Sequence, residues 1–372
     1  MKIIKFFFFF IFLNLIIFEI FSFSMCRFLD LCPKPNYSLK KWDIKHWVNH
    51  QIYGVWHKEQ SEFVHETDCF SSYYFFNNFG AKDKAREVEG KNRTLIIGDS
   101  YAEGYGVDNN KIFSYLLENE SKNQIKYLNF STSGYFGSTQ YFILIRDLFE
   151  KIEFDRVILL LNPSSDFKDD SFEYGKMFHY KKYRPYLDLN TNQIFYYNND
   201  YKDSIEENLK FKDILDNYTY SYKFLRYLKN EILSSIKNKK INQLNNRNDN
   251  IYISYYEKYP EDTFKILKNN LFNINQILLE KKVKFIVFTI PSKKDINYFN
   301  VNKKAQNNLD LELYNYLKEL GVKFSGILDT KNKQNKIDIQ NYFDCTDHFN
   351  ENGHQVLKDI IINELSIMNE KY

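Results

Sequence analysis

Two stretches of this chain hold residue types that can do chemistry together. In the first, Thr94 to Val107, an apolar run ends at Gly98 and presents Asp99 and Ser100, with Gly104 and Gly106 following. The second lies near the carboxyl end, Asp344 to His354, and contains His348 with Asp344 and Asp347 close by. A serine hydroxyl becomes a useful nucleophile when a base reaches its proton. Imidazole, with an ordinary pKa near 6.5, suits that exchange. The chemistry on offer is attack by Ser100 on an acyl carbonyl, with His348 as the base. A residue just past a buried strand sits at the carboxyl edge of the sheet, where open α/β folds bind ligands.

The elements between must bring these stretches together. Apolar runs at 94–98, 126–131, 156–161, 283–290 and 322–328 read as five strands, the third apolar throughout as in a strand buried on both faces. Amphipathic spacing predicts helices over 110–120, 139–151, 262–280 and 305–320. A last helix takes its stripe from Val356, Leu357, Ile360, Ile361 and Leu365. Strands alternating with helices predict an α/β fold, a parallel sheet covered on both sides. Residues 171–260 lack that alternation. An extended piece near Gln193–Tyr197, a helix over about 218–237 and a polar linker from Lys237 to Asn250 mark an insertion or lid.

These motifs resemble the SGNH hydrolase (GDSL esterase) family. Gly98-Asp99-Ser100 with Gly104-x-Gly106-Val107 is similar to its first motif, and Asn129 to Tyr135, with Gly134, to its second. His348-x-Asn350-x-x-Gly353 is similar to the last, which usually begins Asp-x-x-His. The resemblance covers roughly 93–167 and 283–368. It implies a flavodoxin-like three-layer α/β/α fold with a five-stranded parallel sheet, and no metal or cofactor. It also implies a Ser100 nucleophile, a His348 base, and an oxyanion site from the backbone N–H groups of Ser100 and Gly134. Asn78 to Asp83 resembles a turn of exported, glycan-associated members. Two departures stand out. Ser165 occupies the place of an asparagine that donates to the oxyanion, leaving Ser165 or the neighbouring Asn162 for that task. Cys345 stands three residues before His348, so the orienting carboxylate is Asp344 or Asp347.

The rest of the chain bounds the setting. Lys2 and Lys5 precede a nearly unbroken apolar run from Phe6 to Phe23, close to the roughly 20 residues that span a bilayer, with the amino terminus cytoplasmic. Two readings stay open: an uncleaved signal anchor, or a signal peptide cut near Ser22-Phe23-Ser24. Either exports the remainder. Lys+Arg 51 against Asp+Glu 48 gives no basic excess to point to nucleic acid. Cys26, Cys32, Cys69 and Cys345 lack metal-ligand spacing, and outside the cytoplasm one or two disulfides are allowed. The pairing is not readable; a bridge at Cys345 would pin the loop before His348, and a free or core cysteine is the alternative. His46 and His50 sit at i, i+4, but with His57 and His65 they read as surface histidines, and His354 as a packing or surface residue of the last helix. Ser71–Phe76 reads as a strand with its turn at Asn77–Gly80.

The expected organisation is a signal anchor or peptide at 1–26, an extension at 27–92, a core at 93–170 with 261–372, and an insertion at 171–260. The expected activity is an extracytoplasmic serine esterase acting on acyl, chiefly acetyl, esters, with a surface glycan as the partner that the resemblance and export suggest. The same site would serve a glycan O-acyltransferase. A glycan-binding or assembly protein on this scaffold is the non-catalytic alternative.

Overall fold

The computed structural model describes residues 2–29, 31–32, 35, 47–67, 69–178, 183–197, 211–229, 252–329, 337–368 and 370. Trp42, His46, residues 230–237 of the expected 218–237 helix and the 237–250 linker lie outside them. Two compact units form, one from Met1–Ile44 with Ile205–Ile251, the other from Lys45–Ser204 with Tyr252–Tyr372.

The larger unit is built on five parallel strands: β1 (Arg93–Gly98), β2 (Lys126–Asn129), β3 (Arg156–Leu161), β4 (Lys284–Thr289) and β5 (Lys323–Gly326). Their order is β5-β4-β3-β1-β2, so β1 and β3 lie side by side and the chain reverses its direction of winding there. Such a reversal opens a crevice at the carboxyl ends of the strands.

Alternation along the strands divides the core in two. Leu95, Ile97, Leu128, Val157, Leu159, Phe285 and Val287 face the helices Ser138–Leu148, Glu261–Glu280 and Asn308–Glu319. Ile96, Tyr127, Ile158, Leu160, Ile286 and Phe288 face Phe113–Glu120 and Glu351–Ile367. Successive strand side chains point to opposite faces, so an apolar run with no polar partner positions must be buried on both. The expected flavodoxin-like three-layer α/β/α architecture is therefore present.

Residues 47–76 hold four short strands where one, Ser71–Phe76, is expected. Trp47–His50 pairs antiparallel with Gly54–His57, and Ser61–Glu66 with Ser71–Phe76. Asn77–Gly80 does form a turn, closed by Gly80 N–H donating to Asn77 O. His50 is in a strand rather than a helix, its ring stacked on Tyr53. In the 171–204 stretch, Gln193–Tyr197 finds an antiparallel partner in Arg184–Asp188.

Two disulfides form, Cys26–Cys32 and Cys69–Cys345. The second ties the turn of the 61–76 hairpin to the loop that carries His348, 276 residues away.

Candidate active site

Ser100 is the first residue of a one-turn helix, Ser100–Glu103, directly after β1. Asp99 caps it by accepting from Tyr101 N–H at 2.9 Å. Gly98 is needed for close approach, because a Cβ there would lie 2.7 Å from Ala102 Cβ and 2.8 Å from Leu160 O. Gly104 ends the turn in the left-handed region, φ +83°. The nucleophile is thereby held at the lip of the sheet.

His348 is fixed from the other side. Its carbonyl accepts from Phe343 N–H at 2.9 Å, and Tyr342 bridges to Phe349. Asn350 caps the last helix by accepting from Gly353 N–H, and its amide donates back to Gln340 O and Tyr342 O. Gly353 must be a glycine because Asn341 O and Phe349 crowd the place of a Cβ. The His-x-Asn-x-x-Gly spacing thus encodes a capped loop that aims one imidazole.

The two meet. His348 Nε2 lies 2.8 Å from Ser100 Oγ. Tyr105 and Tyr101 pack on the ring, with centroids 4.4 and 5.0 Å away. Burial holds the imidazole down at about 4, opposed by the charges of Asp347 and then Glu103. At neutral pH the ring is therefore uncharged and has a lone pair for the Ser100 proton.

Neither candidate carboxylate hydrogen-bonds the other nitrogen. His348 Nδ1 is buried without a partner among the described residues. Asp347 is half-exposed and lies 3.5 Å from Lys294 Nζ, and Asp344 offers its backbone carbonyl to Lys293. With Cys345 committed to its disulfide, no carboxylate stands three residues before His348.

The expected oxyanion donors are partly engaged elsewhere. Ser165 donates its hydroxyl to Asp99 Oδ2 at 2.6 Å. Gly134 N–H donates to Thr132 Oγ1 at 3.3 Å, a long bond that a stronger acceptor would displace. Asn162 caps Pro163–Asp170 through Oδ1, which accepts from Ser164 N–H, while its buried Nδ2 has no partner among the described residues.

Several site residues escaped the sequence reading. Glu103, three residues after Ser100, is buried and accepts from Ser133 N–H at 2.8 Å, so it joins the nucleophile turn to the Gly134 turn. His57, expected at the surface, is buried with Nε2 2.9 Å from Glu103 Oε1 and Nδ1 2.9 Å from Gly80 O. Lys82 is also buried; it donates to Gly104 O and Val107 O and stands 3.4 Å over the Tyr74 ring. His65, likewise expected at the surface, sits edge-on to Tyr105, which packs on His348. His354 is fully buried and accepts from Phe113 N–H at 3.4 Å. Glu103 did leave a signal, an acid one helical turn from the serine between small and glycine residues.

A separate cavity of about 610 Å³ is walled by Tyr53, Trp56, Phe79, Phe130 and Leu148, with neither Ser100 nor His348 among its lining.

No protein-family model matches the chain, and no curated protein matches it. Solved structures that align with it include ones described as an esterase, a GDSL-like lipase and lipolytic proteins of the G-D-S-L family. An esterase, EstA, from Pseudoalteromonas sp. is 12% identical, with 75% of this chain and 98% of that one covered and a TM-score of 0.38. A GDSL-like lipase from Bacteroides thetaiotaomicron is 11% identical, with 76% and 93% covered and a TM-score of 0.38. TesA is 11% identical, with 73% and 97% covered and a TM-score of 0.37. Likeness this distant assigns nothing to individual residues, and the site rests on its own geometry.

Proposed function

We propose that the larger unit is an ester hydrolase of the SGNH type that works through an acyl-enzyme on Ser100. The observation that carries this is the 2.8 Å contact between Ser100 Oγ and Nε2 of an uncharged, partly buried His348 at the carboxyl edge of the sheet. Ser100 Oγ attacks the ester carbonyl carbon while His348 Nε2 takes the hydroxyl proton. The carbonyl oxygen, now negative, is received by the N–H groups of Ser100 and Gly134, the latter exchanging Thr132 Oγ1 for the stronger acceptor. The C–O bond to the alcohol breaks as His348 returns its proton to that oxygen. Water then repeats the sequence and frees the acid. Asp347 supports the imidazolium by its charge rather than by a hydrogen bond.

The finer reading is an extracytoplasmic enzyme acting on short acyl groups, acetyl foremost, of a surface glycan. Its support is the amino-terminal apolar helix, which is compatible with export.

The test is turnover of a panel of acetyl to octanoyl aryl esters and of an acetylated oligosaccharide, by wild type and Ser100→Ala. Wild type should release acid, and the variant should lose about 10³-fold or more in kcat. Equal trace release from both proteins would end the catalytic reading.

A further inference from the structure

The smaller unit presents a problem of its own. The helix Lys2–Phe28 contains 25 residues, Ile4–Phe28, long and apolar enough to cross a membrane. One carboxylate, Glu19, interrupts it. An acidic or basic group at the centre of a spanning helix costs about 2.5–3.5 kcal/mol on insertion scales, and such groups find partners.

Glu19 has one. Its two oxygens accept from Tyr220 N–H at 2.7 Å and Ser221 N–H at 2.9 Å, the open amides at the start of a helix over 220–229. Those amides lack acceptors within their own helix, and the peptide dipoles there favour a negative charge. Side chains extend the contact. Phe224 packs edge-on against Phe18 and Phe21, and Tyr220 against Phe23. Cys26 and Cys32, joined by their disulfide, are buried with Tyr220 and Phe224.

The 220–229 helix is two-sided. Tyr220, Phe224 and Tyr227 recur at i, i+4, i+7 and face the apolar helix. Leu228, one turn from Phe224, and Leu225 flank that stripe and are exposed at 37% and 52%. Lys223 and Arg226 fall on the other side and pair with Asp216 at 3.2 and 2.9 Å.

We propose that Lys2–Phe28 stays in the mature protein as its membrane span, and that the 220–229 helix lies against it in the outer interface of the same phospholipid bilayer, with Leu225 and Leu228 toward lipid. Cutting after Ser24 would remove Phe18, Glu19, Phe21 and Phe23 together and strip the second helix of its partner. The proposed cut falls inside continuous helix, where Ser24 Oγ donates to Ile20 O. The depth also fits. A hydrocarbon path of about 20 residues counted from Phe6 ends near Met25, which places Glu19 about 9 Å inside the outer boundary. Interfacial helices settle about 5–10 Å deep. The inference stands whether or not Ser100 is a nucleophile.

The test uses the full chain. Mass spectrometry of protein purified from membranes should recover the amino-terminal peptide that includes Phe18–Phe28; a mature terminus at Met25 overturns retention. For the second helix, full-length Leu228→Cys and Arg226→Cys are each nitroxide-labelled in vesicles of phosphatidylethanolamine and phosphatidylglycerol, Arg226 being the more exposed of the two cations. The label at 228 should lose access to a water-soluble nickel chelate and gain access to oxygen, relative to 226. Equal chelate access at both positions overturns the interfacial placement, even with the amino terminus intact.

Discussion

Asp99 and Glu103 bracket Ser100 on a single turn, both are buried, and they titrate in opposite directions. Burial pushes Asp99 up to about 7, and a Ser165 hydroxyl and a Tyr101 amide are too weak to reverse it. Burial works against Glu103 as well, yet His57, Lys82 and the Ser133 amide hold it down at about 2. Desolvation is common to the pair; the hydrogen bond from His57, with Lys82 and the Ser133 amide beside it, separates them. The origin of the partners differs too. Ser165 comes from the helix after β3, inside the sheet core, whereas His57 and Lys82 come from the segment before β1. The nucleophile is thus held by the core on one side and by the preceding segment on the other.

The harshest way to break this contrast is Glu103→Ala. It leaves Lys82 and His57 buried without their carboxylate, and removing one member of a buried ion pair costs about 3–5 kcal/mol. Urea unfolding at pH 7 should show that loss, together with a fall in kcat as the Ser133 amide is released. A cost under about 1 kcal/mol would mean that the Glu103 carboxylate does not hold the site.

Titration sharpens the same contrast. Asp99 keeps its proton in the native state up to about pH 7, whereas the unfolded chain releases it near the ordinary 3.8. The native state therefore binds more protons between those values, and stability falls as pH rises through that window, by at most about 1.4 kcal/mol per unit. Glu103 runs the other way: its contribution is present above the ordinary 4.5 and is lost as pH falls toward about 2. Asp99→Asn should reduce the loss between pH 4 and 7, to which the raised Asp166, Asp170 and Asp83 also contribute, and leave the acid limb alone. Urea midpoints from pH 3 to 8 check this, and an unchanged slope above pH 4 in the variant would refute it.

The preceding segment can also be loosened as a whole. Lys82 rests on Tyr74 of the 61–76 hairpin, and Cys69 in that hairpin's turn is bonded to Cys345 beside the His348 loop. Cys69→Ser with Cys345→Ser should lower stability by about 2–4 kcal/mol, the usual range for a native disulfide. It should disturb the Glu103 side and spare the Asp99–Ser165 contact. Loss of tyrosine and histidine proton dispersion confined to Tyr74, Tyr105, His57 and His65 would bear this out; an equal effect at Asp99 would not.

How much of this was legible follows from the range of each interaction. Ser100, Gly134 and His348 stood out because turn glycines, an apolar strand and a capping asparagine are written within a dozen residues. The five parallel strands followed from alternating apolar runs. His57 and Lys82 did not stand out, since nothing near either residue announces a carboxylate in another element. Four short strands in 47–76 were reduced to one because the others mix polar and aromatic residues without a clean period. Cys345 raised the possibility of a pinned loop, but four cysteines allow three pairings, and only the fold selects Cys69. Ser165 stands in the sequence where an oxyanion donor is expected; its hydroxyl donates to Asp99, a partner in another element that nothing near Ser165 announces.

The mildest change concerns a third carboxylate that resembles neither of the first two. Asp347 is 43% exposed, pairs with Lys294 at 3.5 Å, and does not hydrogen-bond His348. Solvent screens such a charge, so its support for the imidazolium should be small, of the order of an exposed ion pair at about 0.2–1 kcal/mol. Asp347→Asn should therefore lower kcat by no more than about fivefold at pH 7, with KM and stability unmoved, and Asp344→Asn should do less. A fall of about 10³-fold or more in either variant would mean that the loop rearranges with substrate to give His348 Nδ1 a carboxylate, as an oriented triad requires. In that case the field around Ser100 would have a second strong anion beside Glu103, and the contrast drawn between the two sides of the turn would have to include it.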